Sequence, residues 1–137
     1  MILPRQTLST LLVTASLVLG SVAVMTPAPA SAAPAGCPVR GLGCTYENNN
    51  YGGGNINFYE YVRNFESVGY WARTFHTRTN DAGSSGFNNG QSGMAARWYK
   101  HANYTGPYIH ADKGKGVNFS AKGLNDQISS ACFRAYC

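Results

Sequence analysis

Acidic residues are scarce in this 137-residue chain: six Asp and Glu stand against eleven Lys and Arg, and only 12% of all residues are charged. With 44% hydrophobic residues beside so few charges, a disordered or solvating tail is excluded. The cations are scattered singly and never form a basic run, so the formal charge of +5 gives no reason to expect a nucleic-acid partner. Six prolines and sixteen glycines without a triplet period exclude collagen-like and proline-rich linker classes. Hydrolase signatures are missing as well. There is no His-Glu-x-x-His, no phosphate-binding glycine loop, and Gly90-Gln91-Ser92-Gly93 is not a nucleophile elbow. No C-x2-C pair occurs and His76, His101 and His110 follow no ligand spacing, which excludes a zinc finger.

What is present begins with a leader. Met1 to Arg5 carries one positive charge, Leu8 to Val24 is apolar or small throughout, and Ala30-Ser31-Ala32 fits a small-x-small cleavage site. Residues 1–32 therefore read as a cleaved signal peptide, and 33–137 as a single secreted domain. A membrane anchor is the rival reading, but Thr26-Pro27 breaks the apolar run and no basic stop-transfer flank follows. The mature chain is expected to be extracellular, monomeric and free of the membrane, and it is long enough to close one core. All four cysteines, Cys37, Cys44, Cys132 and Cys137, lie in it, so two disulfides are expected. Three pairings are open. The two local ones would close short loops worth about 2 to 3 kcal/mol each, while a pairing that ties the termini together would be worth about 4 to 5 kcal/mol.

Along the mature chain no helical period is sustained, whereas short aromatic and β-branched runs recur between turn residues: Ile56 to Tyr59, Ala96 to Tyr99, Tyr108 to His110, Val117 to Phe119. The fold class is all-β, a sandwich or barrel. Asn89-Gly90 is a hairpin-turn dipeptide. An internal repeat organises the rest. Tyr46-x4-Tyr51-x-Gly53 and Tyr99-x4-Tyr104-x-Gly106 share one pattern, which suits a sharply folded hairpin whose Gly53 and Gly106 take positive φ. Each is followed by Asn-Asp-x-x-Ser-Ser, at Asn80 to Ser85 and at Asn125 to Ser130. A carboxylate with a hydroxyl three residues on can serve a hard cation or satisfy its own turn amides. The first copy is longer between hairpin and loop by about eight residues, assigned to Tyr61 to Thr79.

Two such copies in this order resemble a βγ-crystallin domain, two Greek-key motifs in one β-sandwich, with motif one at about 44–87 and motif two at about 95–131. The leader and the opening Cys37-Pro38-x5-Cys44-Thr45-Tyr46-Glu47 narrow the resemblance to the secreted bacterial βγ-crystallin-like peptidase inhibitors, the family of the Streptomyces metalloproteinase inhibitor. That resemblance implies two weak calcium sites, built from Asp81, Ser84, Asp126 and Ser129 with backbone carbonyls, Glu47 lending one and Lys100 standing at the corresponding place. It implies an extracellular peptidase, above all a metalloproteinase, as partner, and no catalysis. Candidate inhibitory segments are the Cys37 to Cys44 loop, the Tyr61 to Thr79 insertion with Tyr70 and Trp71, and the Cys132 to Cys137 tail. For each of Tyr70 and Trp71 taken singly, ordinary core or edge packing is the favoured reading.

Departures from the pattern lie in the first loop. Gly83 stands where Ile128 supplies an apolar side chain to the second, so that corner is expected to be short of packing, and a rival register at Asn88 to Ser92 is kept open. The preferred register takes Asn80 to Ser85 as the loop and Asn88-Asn89-Gly90 as the turn linking the motifs. Two other functions are weighed: a calcium-binding structural, stress or toxin-like protein without inhibitory activity, and a small ribonuclease using Glu60, Glu66, Arg73, His76, Arg78 and His110.

Overall fold

A computed structural model describes residues 32–75 and 77–137; the expected leader up to Ser31 and His76 lie outside them. Eight strands form two four-stranded antiparallel sheets: β1 (Leu42–Tyr46), β2 (Asn55–Phe58), β3 (Tyr61–Val62), β4 (Ser85–Asn89), β5 (Ala96–His101), β6 (Thr105–Ala111), β7 (Gly116–Asn118) and β8 (Ser130–Phe133). The first sheet runs β2-β1-β4-β7 and the second β3-β8-β5-β6. Each motif therefore contributes three strands to its own sheet and lends its third, β3 or β7, to the other. Only 3₁₀ turns interrupt the strands among the described residues.

Alternation explains the strands. In β5 Ala96 and Trp98 are buried, while Arg97 lies half-exposed on the opposite face. Between the sheets Ile56, Phe58, Phe65, Trp71, Trp98, Phe119, Ile128 and Phe133 form the main core with smaller residues. A second cluster, Cys37, Leu42, Cys44, Tyr46 and Phe87, covers the outer face of the first sheet and packs against Ala33. Burial there, with Tyr51 alongside and Arg73 opposing, pushes the Tyr46 hydroxyl up to about 12.

The disulfides are the two local ones, Cys37–Cys44 and Cys132–Cys137. Each loop closes within one motif, so the termini are not tied together by a bridge.

The repeat is visible in the backbone. Asn50 and Tyr51 have φ of 55° and 65°, and Asn103 and Tyr104 have 57° and 60°, two successive left-handed residues in each hairpin. Such a pair is costly for non-glycine residues and needs outside support. The last serine of each loop supplies it: Ser85 Oγ donates to Asn48 O (2.7 Å) and accepts from Tyr51 N (3.0 Å), while Ser130 Oγ donates to His101 O (2.6 Å) and accepts from Tyr104 N (3.1 Å). Gly53 and Gly106 close the hairpins at φ +73° and +78°, as the spacing requires. A Cβ at Gly53 would meet Asn48 Nδ2 at 2.8 Å and Glu47 Oε2 at 2.9 Å, and one at Gly106 would collide with the His101 ring. Gly53→Ala and Gly106→Ala are each expected to lower stability by about 1 to 2 kcal/mol, read as a fall in the thermal midpoint.

Three expectations from the sequence do not hold. Asn88-Asn89-Gly90 is not the linking turn: Asn88 and Asn89 finish β4, and the chain leaves the sheet only at Gly90. Nor does Asn89-Gly90 close a hairpin, because β4 and β5 belong to different sheets and the chain must cross the sandwich between them. The corner at Gly83 is not short of packing either. A Cβ there would already sit 3.3 Å from Phe119 Cε2 and Thr45 Cγ2, so neighbours from both motifs fill the place of the missing side chain. The extra residues of motif one fall between Phe65 and Thr79, where motif two runs from Phe119 to Leu124.

Candidate functional site

The two Asn-Asp-x-x-Ser-Ser loops lie back to back and are crossed. Ser84 Oγ donates to Asp126 Oδ1 (3.0 Å) and Ser129 Oγ donates to Asp81 Oδ1 (2.8 Å), so each hydroxyl pairs with the carboxylate of the other motif. Their backbones exchange bonds in the same sense: Asp81 N donates to Ile128 O (3.1 Å) and Asp126 N to Gly83 O (2.9 Å). Both aspartates have φ of 53°, a conformation that Asp tolerates better than most residues. Asn80 Nδ2 and Asn125 Nδ2 donate to the second carboxylate oxygen of their neighbours, at 3.0 and 2.8 Å. The rival register at Asn88 to Ser92 is thereby excluded, since Asn88 is a strand residue without a role in this crossing.

Each pair sits beside one hairpin. Ser84 N donates to Tyr46 O (2.9 Å), which places the Ser84–Asp126 pair next to Glu47; Ser129 N donates to Tyr99 O (3.0 Å), which places the Ser129–Asp81 pair next to Lys100. The Glu47 carboxylate folds back onto its own hairpin and accepts from Gly54 N (3.0 Å) and Thr74 Oγ1 (3.1 Å). The fit to a hard cation rests on donor chemistry. Every side-chain ligand candidate is an oxygen, and the Oδ1 atoms of Asn80 and Asn125 are buried without a partner among the described residues. No three His, Cys, Asp or Glu converge among those residues, so each pair offers one carboxylate and otherwise neutral oxygens. That set suits calcium held weakly rather than a transition metal.

The three segments proposed to face a partner differ sharply. Trp71 is fully buried in the main core, so it is not part of a docking surface; its ring fills the space beneath the insertion. Tyr70 beside it is 52% exposed, with Arg78 stacked 5.9 Å from its ring centroid. The tail after Cys132 winds into a 3₁₀ turn, Arg134–Tyr136. The Cys37 to Cys44 loop instead presents three consecutive exposed residues, Pro38, Val39 and Arg40, on a backbone gripped from below. Asn89 Nδ2 donates to Cys37 O (2.8 Å) and Val39 O (3.1 Å), and Gly41 N donates to Asn89 O (2.8 Å).

The family model for peptidase inhibitor family I36 matches residues 30–111, more than half of the chain. The chain belongs to peptidase inhibitor family I36. Its match takes in the bridged Cys37 to Cys44 loop, both hairpins and the first Asn-Asp-x-x-Ser-Ser loop, and stops before the second. Solved structures give the same architecture. A βγ-crystallin domain studied for the evolution of the eye-lens fold superimposes with a TM-score of 0.57 at 24% identity, over 74% of this I36 chain and 92% of that one. A βγ-crystallin from Ciona intestinalis gives 0.52 at 20% identity, over 69% and 100%, and an archaeal βγ-crystallin gives 0.50 at 21%, over 69% and 99%. These likenesses establish the Greek-key sandwich. No curated protein sequence matches significantly. Family membership supports a peptidase inhibitor on a βγ-crystallin fold, with a peptidase as its partner.

On the sequence alone Asn88 and Asn89 read as turn residues, and what their side chains hold was missed. Asn88 is fully buried and Asn89 braces the bridged loop. The one signal was their unfavourable residue type: two asparagines directly after Phe87 are poor strand formers and need a specific reason to lie in one.

Proposed function

We propose that this protein, cut near Ala33 and exported, is a non-catalytic inhibitor of an extracellular metallopeptidase. Membership of the I36 family carries the reading, and the bridged, exposed Cys37 to Cys44 loop is the structural support for it. A segment that enters a cleft must be ordered before it binds, because ordering it at the moment of binding subtracts from affinity. The test is an inhibition panel of thermolysin-like and subtilisin-like peptidases against the oxidised mature chain. Inhibition confined to the metallopeptidases is the expected result; inhibition of none, with digestion of the chain itself, overturns the reading.

The crossed loops favour a second property, calcium binding, and a structural calcium protein is what remains if no peptidase is inhibited. Calcium would be held at Asp126 and Ser84 beside Glu47, and at Asp81 and Ser129 beside Lys100. It supplies positive charge where one carboxylate now meets only hydroxyl and amide donors. With a single carboxylate at each pair, affinity falls in the weak extracellular class, ~10⁻⁵ to 10⁻³ M. Millimolar calcium is therefore expected to raise the melting temperature, since a ligand that binds only the folded state stabilises it by mass action. Asp126→Ala should remove most of that rise and Asp81→Ala less, because Lys100 opposes a cation at the second pair. A melting curve unchanged at ~10 mM calcium, well above that class, would leave the loops as hydrogen-bonded corners.

A further inference from the structure

We infer that the target peptidase grips this protein at the Pro38–Val39 peptide bond, with the Pro38 carbonyl offered to the catalytic centre and Val39 seated in an apolar pocket on the amine side of that bond. The inference rests on the inhibitor reading above and adds the segment and the bond.

Two features together mark the position: an unbonded carbonyl and an exposed apolar residue directly after it. The carbonyls of Cys37 and Val39 both turn inward to the same donor, Asn89 Nδ2. The Pro38 carbonyl between them has no partner among the described residues and lies on an exposed residue. A peptidase must polarise the carbonyl of the bond it attacks, and here only one carbonyl of the three is free for that. The ring of Pro38 fixes its own φ and removes an N–H that would otherwise need a partner. Val39 follows as an apolar side chain 50% exposed.

The foundation of the loop is rigid on every side. The bridge to Cys44 anchors one end in β1, where Cys44 pairs with Asn57 and Phe87. Ahead of the loop, Cys37 N donates to Pro34 O (3.1 Å) across a turn with Gly36 at φ +87°, and Gly36 O accepts from both Asn55 Nδ2 (2.8 Å) and Asn57 Nδ2 (2.9 Å). Little conformational freedom is left to lose on binding.

The same bracing explains resistance to cleavage. Hydrolysis adds water across the bond: a C–O bond forms at the Pro38 carbonyl, the C–N bond breaks, and the Val39 amine takes the proton. The two new ends stay in one molecule because Cys37 and Cys44 remain bridged, and Asn89 holds both flanking carbonyls. The amine therefore stays beside the carbonyl carbon it left, and rejoining competes with release.

Charge defines the partner further. The groove beside the loop is lined by Pro38, Arg40, Asn89, Gln91 and Lys113 together with small residues, and no acidic residue is among them. The fitting target has an apolar pocket for Val39 and carboxylates on the rim that meets Arg40 and Lys113, so association slows as salt is raised.

Inhibition constants of the oxidised mature chain against a thermolysin-like metallopeptidase test this, with Val39→Asp, Val39→Leu, Asn89→Ala and Tyr70→Ala. Val39→Asp should weaken inhibition about thirtyfold or more, the size of an interface hot spot, while Val39→Leu stays near the parent. Asn89→Ala should turn a slow substrate into a fast one: mass spectrometry should show the addition of one water, and two fragments that separate at Pro38–Val39 only after reduction. Val39 is exposed, so its variants fold, and melting curves confirm this before inhibition is read. If the parent inhibits and Val39→Asp inhibits equally, or if cleavage falls at another bond, the loop assignment is overturned and the inhibitor reading survives. Loss of inhibition in Tyr70→Ala alone would move the contact to the insertion. If the parent inhibits no peptidase, both fall together.

Discussion

Asn88→Ala should lower the stability of the fold by about 3 to 5 kcal/mol, because three backbone groups, two of them in buried bonds, lose their partner at once. Asn88 is fully buried, and its amide donates to Met94 O (3.0 Å) and Ala111 O (2.9 Å) while its Oδ1 accepts from Gly90 N (2.9 Å). Those three groups belong to the linker between the motifs and to the end of β6, so one side chain joins the first sheet to the linker and to the second sheet. The site lies against Phe133, to which a Cβ on Gly90 would approach within 2.8 Å. Urea denaturation of the oxidised mature chain should show the midpoint falling steeply with the slope unchanged. A loss under about 1 kcal/mol would mean that the site relaxes and admits solvent.

A similar loss is expected from Gly86→Ala, for the opposite reason. Gly86 is the residue of β4 opposite Thr45 in β1, and the indole of Trp98 lies directly on it. A methyl group there would collide with Trp98 Cζ2 and Cε2. To make room the indole must leave its seat, which breaks its N–H bond to Thr45 Oγ1 (2.8 Å) and disturbs its contact with Phe119, 5.5 Å between centroids. Overpacking typically costs about 1 to 3 kcal/mol, and the stranded indole N–H and threonine hydroxyl add to it. Thermal melting measures the total, and the near-ultraviolet signal of Trp98 should shift even where the chain stays folded.

Why the sandwich was legible and these two positions were not follows from what kind of information each carries. The hairpin motif writes its geometry locally: two left-handed residues and a glycine at fixed offsets leave a readable spacing, and the serines that support them come at a fixed distance within their own loop. The Asn-Asp-x-x-Ser-Ser loops are readable for the same reason, with one limit. That Ser84 would meet Asp126 and not Asp81 depends on how two copies pack, and a repeat read along one chain gives each loop its own partner by default. Gly83 shows the limit again, because the group that fills its corner, Phe119, stands in the other motif. Asn88 reaches the linker and the second sheet, Gly86 receives Trp98 from the second sheet, and Asn89 holds the amino-terminal segment. Their residue types are rare in strand interiors, which marks them as unusual without saying what they touch. Trp71 shows the converse: a large ring in an insertion could serve a partner but is more often core, and the core claimed it.

The lending of β3 and β7 has a consequence for when this protein can fold. β8, the last strand in the chain, is not an edge: it lies between β3 and β5 and supplies the central pairing of the second sheet. Until Ser130–Phe133 has arrived, β3 has no neighbour, and the first sheet likewise waits for β7 from the later half. Neither motif is then an autonomous folding unit, so a chain emerging from its amino terminus must remain open until β8 has been made. The two bridges set no order on this, since each closes within its own half. Cut in the linker between Gly90 and Ala95, the two halves should be unstructured apart and reconstitute the sandwich when mixed, each completing the other's sheet.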